Sequence, residues 1–410
     1  MSKKTVLFAE TLFDGIKKIE NCFIVLEGNI IIEVSKKKRP YDYSGTVTPA
    51  FIDAHSHIGM HRSGEPDSEG EANDQIGQIT PLHDPLNSIY FDDGAFEEAV
   101  TFGVLYSCVV PGSGNLLGGR AKVIRNFAHN RAEALVHDFG YKMALGYNPR
   151  STEKWKGDRP NTRMGIYSLL EKKFDGVLQK KGKADLNRER KIRELEKNSR
   201  GKKITEAEKK KDRALIEAEY RLEFDAEETA ILELLTQKKK AKVHVHKEDD
   251  VLYLISLVKK YGLAVTADHL GDVFHTEIFN ALAEAGIPAV YGPLGSFPYK
   301  VELKHDRYDN TRLLMASKAF YGLMTDHPVM MTPFLRDSLK YFLIFGMKEE
   351  EAISLITYKN AKILGIDGQL GTIEPGKLAS LVVWDQNPLY LAAFPRQVFA
   401  EGKIVRGEKK

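Results

Sequence analysis

The sequence predicts an α/β protein: a (β/α)8 TIM-like barrel with a small composite β-sandwich domain formed by both chain termini. Three observations point there. The chain has 410 residues, long for one small domain but suited to a large barrel with an appendage. Its middle alternates short apolar strands with helical patterns, the texture of βα units around a parallel sheet. Its two ends are instead strand and turn.

Residues 1–50 hold short apolar runs, KTVLFAE and CFIVLEGNIIIEV, the latter broken by the hairpin signal Glu27-Gly28-Asn29. From residue 51 the spacing predicts strands at 51–57, 104–110, 141–147, 242–246, 263–268, 288–292 and 321–326, with helical segments between them. An eighth strand is less marked, and RAKVIR at 120–125 is the candidate. Strand texture returns in LGTIEPGKLASLVVWD and in RQVFAEGKIVRGEKK, where Glu401-Gly402 makes a second hairpin signal. Residues 1–50 and 366–410 therefore read as one terminal β-domain, and 51–365 as the barrel.

Residues 171–242 interrupt this rhythm with a charged helical insertion, dense in Lys, Arg and Glu, and Asn198-Ser199-Arg200-Gly201 reads as a turn between two helices. Its signs are interspersed, so a solvated hairpin is the expectation rather than a nucleic-acid arm.

The composition is 42% hydrophobic and 29% charged, enough apolar residues for a sizeable core. A net charge of +3 gives no case for nucleic acid or an acidic membrane. The two cysteines, Cys22 and Cys108, lie far apart in apolar strands, which excludes a disulfide framework or thiolate metal site. No stretch of 18 apolar residues occurs, and a cytoplasmic protein is the expectation, with a homodimer as a base-rate alternative to a monomer.

The chemistry lies at strand ends. FIDAHSH closes the first barrel strand with His55 and His57, two apart and therefore on one face. KVHVH closes a later strand with His244 and His246, TADHLGD the next with His269, and LMTDHPV the last with Asp326 and His327. Barrel enzymes place their active sites at this rim. Three imidazoles and a carboxylate can hold Zn or Fe with a position left for water, and a carboxylate beside that water can shuttle its proton.

The order HSH, strand-end His, strand-end His, TDHP, then GTIEPGKLASLVVWD, resembles the amidohydrolase superfamily, and within it the imidazolonepropionase-like branch. The resemblance runs from about residue 48 to 387 and implies hydrolysis of C–N bonds. It implies His55, His57, His244, His269 and Asp326 as metal ligands. Asp326 would also be the proton shuttle, and His269 would orient water or bind a second metal. It makes His246 a neighbour or substrate contact, a choice that geometry alone leaves open. Asn73 in GEANDQ, Asn115 in PGSGNLLGG, Arg163 in RPNTRMG and His327 are implied as substrate contacts or loop structure.

Two departures stand out. Tyr147 occupies a position where relatives carry glutamate, and a neutral tyrosine cannot bridge two ions as a carboxylate does. Tyr147 is left as a substrate contact. Lys142 is expected too deep in the barrel to replace that carboxylate, so one ion per chain is favoured over two, Zn first with Fe or Mn as alternatives. Ser380 stands where the C-terminal motif has Asp, far from the rim. The expected activity is metal-dependent cleavage of a cyclic amide, N-acyl compound or dipeptide. The alternatives are deamination of an amino-heterocycle, or a catalytically lapsed barrel with a binding role.

Overall fold

The computed structural model of the chain describes residues 4–151, 159–201 and 205–407. The first four strands are β1 (Lys4–Phe13), β2 (Lys18–Glu27), β3 (Ile30–Ser35) and β4 (Tyr43–Pro49). Eight more follow: β5 (Phe51–Ser56), β6 (Val104–Val109), β7 (Leu117–Arg125), β8 (Leu135–Ala144), β9 (Lys240–Lys247), β10 (Val265–Asp272), β11 (Ala289–Tyr291) and β12 (Tyr321–Leu323). The last three are β13 (Leu381–Trp384), β14 (Pro395–Ala400) and β15 (Lys403–Arg406).

β5 to β12 form an eight-stranded sheet in sequence order. Asn360 draws its two edges together: its Nδ2 donates to the Ile52 carbonyl at 2.6 Å and to the Leu323 carbonyl at 2.8 Å. The sheet is thus a nearly closed barrel in a mixed α/β fold. The eighth strand does fall on RAKVIR, within β7, but the sheet is not wholly parallel. β7 runs antiparallel to both β6 and β8. Only residues 110–116 separate β6 from β7, and a parallel crossover needs a dozen or more.

The other seven strands join in the order β15-β14-β13-β4-β1-β2-β3, so both ends of the chain meet in one sheet. β13 explains how this sheet seats the barrel. Its alternate residues Leu381 and Val383 enter a core with Leu7, Leu12, Cys22, Ile24, Val47 and Phe399. Val382 and Trp384 face the barrel core instead, and the Trp384 ring stacks on Phe51, the first residue of β5, at 5.6 Å.

The charged segment emerges from the connection between β8 and β9. A helix at Arg163–Gly201 packs beside a second at Glu206–Leu222, with Tyr220 donating to Asp185 at 2.8 Å. Residues 198–201, expected as a turn, remain in the first helix; Ser199 Oγ donates back to the Glu196 carbonyl at 2.8 Å. No helix among the described residues is long and apolar enough to cross a membrane.

A candidate metal centre at the barrel rim

β5 delivers two imidazoles whose tautomers are fixed from behind. His55 Nδ1 lies 2.6 Å from Asp268 Oδ2, and a carboxylate there keeps the proton on Nδ1. His57 Nδ1 donates to the Val110 carbonyl at 2.7 Å. Both rings therefore present Nε2 lone pairs forward, and both lone pairs face one carboxylate oxygen. Asp326 Oδ1 is 3.5 Å from His55 Nε2 and 3.2 Å from His57 Nε2. Burial first, then the Lys142 charge, hold the His55 pKa well below its usual value, so this imidazole carries no second proton to offer. Two lone pairs turned on a carboxylate are an arrangement that a cation between them makes favourable.

The opposite wall shows the same need. The His269 ring centre lies 4.1 Å from that of His244, 4.8 Å from His246 and 5.0 Å from His55. Both nitrogens of His244, both of His269 and Nδ1 of His246 are buried without a hydrogen-bond partner. A buried polar atom left so costs about 1–3 kcal/mol, and five in one place fit a ligand that accepts lone pairs. Two donor groups converge within metal-binding distance: His244, His246 and His269, and His55, His269 and Asp326. They share His269.

Local backbone makes this sharing possible. Successive strand residues point to opposite faces, so Asp268 and His269 should not serve one site. His269 and Leu270 have φ of 83° and 63°, in the left-handed region that non-glycine residues rarely enter. That turn swings the His269 ring onto the rim while Asp268 faces the barrel interior. Asp326 is also left-handed, at 53°, and lies three residues beyond β12 rather than within a strand. Behind it, Asp53 accepts from the Thr325 backbone N–H at 3.1 Å and from its hydroxyl, tying the loop to β5.

One expectation is overturned. Lys142 is not too deep: its Nζ lies 3.0 Å from His55 Nε2. β8 ends at Ala144, not at 147, so Lys142 is two residues from the strand end and its long side chain spans the remainder. Burial pulls its amine down to about 8, against the opposing pull of Asp326 and Asp268.

The remaining predicted residues lie further out. Asn73 Oδ1 accepts from the Gly114 N–H at 2.8 Å, and Asn115 Nδ2 donates to the carbonyls of Asp74 and Gly77, at 2.9 and 2.5 Å. These amides join the two loops they stand on. Arg163 pairs with Asp250 at 3.0 Å and lies 3.8 Å from Asp249. His327 is buried, its Nδ1 accepting from the Thr332 N–H at 3.3 Å, and burial lowers its pKa to about 4. Tyr147 donates its backbone N–H to Glu302 at 2.9 Å.

Glu302 was not foreseen. It is buried in the turn Val301–Leu303, its Oε1 3.7 Å from His244 Nε2 and 4.0 Å from His246 Nε2, with Lys300 Nζ at 2.7 Å. Burial pushes its carboxyl up, but Lys300 and His246 outweigh this and hold it below the usual range. Nothing in YKVELKH has a period that would single it out. Asp268, equally unforeseen, has a readable signal only to someone who expects the left-handed turn after it.

Comparison with known proteins agrees with this geometry. An amidohydrolase, tasK, from Hapsidospora irregularis is 25% identical over 391 residues, 90% of this chain and 37% of that protein. An imidazolonepropionase from Sphingopyxis alaskensis is 31% identical over 150 residues, 35% of each chain. The chain thus spans about a third of the length of these curated relatives. A solved amidohydrolase from Thermotoga maritima superposes with a TM-score of 0.83 at 28% identity, covering 98% of this chain and 100% of that one. A prolidase solved with N-methylphosphonate-L-proline shares the fold, with a TM-score of 0.59 at 15% identity over 99% and 100% of the two chains. The amidohydrolase family pattern itself matches residues 176–405, more than half of the sequence. The chain belongs to the amidohydrolase family.

Proposed function

We propose that this chain is a metal-dependent hydrolase that cleaves a carbon–nitrogen bond of a small cyclic amide, N-acyl compound or dipeptide with activated water. The observation that carries the reading is the cluster of five partnerless nitrogens on His244, His246 and His269, beside the His55 and His57 nitrogens that face Asp326. His55, His57, His244, His269 and Asp326 would hold the metal, with Zn first and Fe or Mn as alternatives. When bound, a divalent metal lowers the pKa of water and polarises a carbonyl. Asp326 would take the proton of the attacking water and pass it to the leaving nitrogen. His269, its Nδ1 3.9 Å from Asp326 Oδ2, would steady the water or the carbonyl oxygen.

The position of Lys142 favours two ions over the single ion expected from Tyr147. Its buried amine lies 3.0 Å from His55 Nε2, and in its neutral form it could add carbon dioxide and lose a proton to give a carbamate, which would offer two ligand oxygens there. The terminal sheet with its own core supports a composite β-sandwich at 1–50 and 366–410, beside a barrel at 51–365.

Elemental analysis after reconstitution with Zn, Fe or Mn, coupled to assays on lactams, N-acyl amino acids, dipeptides and amino-heterocycles, tests this reading. Two equivalents of metal, falling to one in Lys142→Met, and chelator-sensitive hydrolysis are expected. Ammonia as the main product would favour deamination instead. If metal stays far below one equivalent and His55→Ala behaves as wild type, the enzyme reading is lost.

A further inference from the structure

The two walls of the centre differ in what stands behind their imidazoles. On the β5 wall each ring is backed: His55 Nδ1 lies 2.6 Å from Asp268 Oδ2, and His57 Nδ1 donates to the Val110 carbonyl at 2.7 Å. Asp268 is itself clamped, accepting from the Thr266 hydroxyl at 2.5 Å and lying 3.0 Å from Lys242 Nζ, with its side chain wholly buried. On the opposite wall, among the described residues, neither nitrogen of His244 and neither of His269 has a hydrogen-bond partner. Whichever nitrogen of these two rings turns to an ion, the other has no acceptor behind it. Such an acceptor fixes the tautomer and orientation of a ligating imidazole and raises its basicity, and losing one typically costs about 10–100-fold in metal affinity.

Charge widens the difference. After burial, the Lys300 charge is the next cause that holds the His244 and His246 pKa values well below normal, ahead of its ion-pair partner Glu302. That ammonium opposes a further cation on this wall. On the β5 wall the Lys242 charge is met by Asp268, and Asp326 faces both rings from the front. The Lys142 charge weighs on His55 and His244 alike, so it does not separate the two walls. We propose that the centre is unequal: one divalent ion is held tightly by His55, His57 and Asp326, and a second is held weakly and exchangeably by His244 and His269, with His246 beside them. This rests on the hydrolase reading above and adds a form of regulation to it. The chain keeps its first ion as free metal rises and falls, while the second comes and goes with supply. The two positions can therefore carry different divalent metals.

The test is titration of the metal-free full chain with Zn alone, against a chromophoric chelator that competes for the ion. Two binding events are expected, with dissociation constants at least about 100-fold apart, since two rings of the weaker position lack a backing acceptor. His244→Ala should remove the weaker event and leave the stronger one in place. Asp268→Asn should weaken the stronger event by about 10–100-fold and narrow the gap, with a melting curve of the metal-free chain checking its fold. Lys300→Gln should tighten the weaker event alone, a result that needs no change in the buried interior. Two events within about tenfold of each other would overturn the inference, as would His244→Ala weakening the stronger event. Saturation at a single ion defeats this inference and leaves the hydrolase reading intact. No binding of Zn, Fe or Mn defeats both.

Discussion

The helical hairpin and the barrel interior are both rich in charge, yet charge means something different in each. On the hairpin, Arg188 meets Glu217 at 3.5 Å, Lys191 meets Glu219 at 2.7 Å and Arg213 meets Glu196 at 3.2 Å, all with side chains a third or more exposed. Such pairs are screened and contribute little. Inside the barrel, Asp268 lies 2.6 Å from His55 and 3.0 Å from Lys242, and all three side chains are wholly buried. There, removing one partner strands the others out of reach of water. The hairpin's many charges thus leave stability almost untouched, while a few interior ones set the geometry of the site.

Three substitutions sharpen that contrast, all read by urea unfolding. Asp268→Ala should be most severe, at about 3–5 kcal/mol, because it leaves Lys242 unpaired and frees the His55 tautomer. A cost below about 1 kcal/mol would mean that the interior charges are solvated after all. Thr325→Val should follow at about 1–3 kcal/mol, since the buried Asp53 carboxyl loses the hydroxyl donor that ties the last loop to β5. Arg188→Ala on the hairpin should change stability by less than about 0.5 kcal/mol. Its guanidinium also lies 4.6 Å from the Tyr220 ring, so a loss above about 2 kcal/mol would show the hairpin held together by its polar contacts.

What the sequence disclosed follows from how far each signal reaches along the chain. His55 and His57, or His244 and His246, are visible because a two-residue period is local and strands impose it. The barrel rhythm is visible for the same reason, and so is the return of strand texture at both ends. The reversed direction of β7 is carried by the shortness of 110–116 rather than by any residue type, and a pattern of apolar runs does not register it. Lys142 was misjudged because β8 stops three residues before the apolar run suggests. Glu302 belongs to a loop with no period at all; only the folded chain brings it to histidines nearly sixty residues away. Asp268 and His269 could share a site only through a left-handed turn that neither residue type advertises.

That turn has a consequence for anyone who would build this centre elsewhere. Copying His269 and Asp326 onto an ideal barrel would aim both side chains wrongly, because a regular strand offers neither backbone setting. The transferable unit is therefore a pair of kinked strand ends together with the residues that clamp them. For Asp326 that clamp is the Asp53–Thr325 tie and the His55 carbonyl that receives its N–H at 3.1 Å. A graft of side chains alone would carry the imidazole and the carboxylate and leave behind the posture that brings them together.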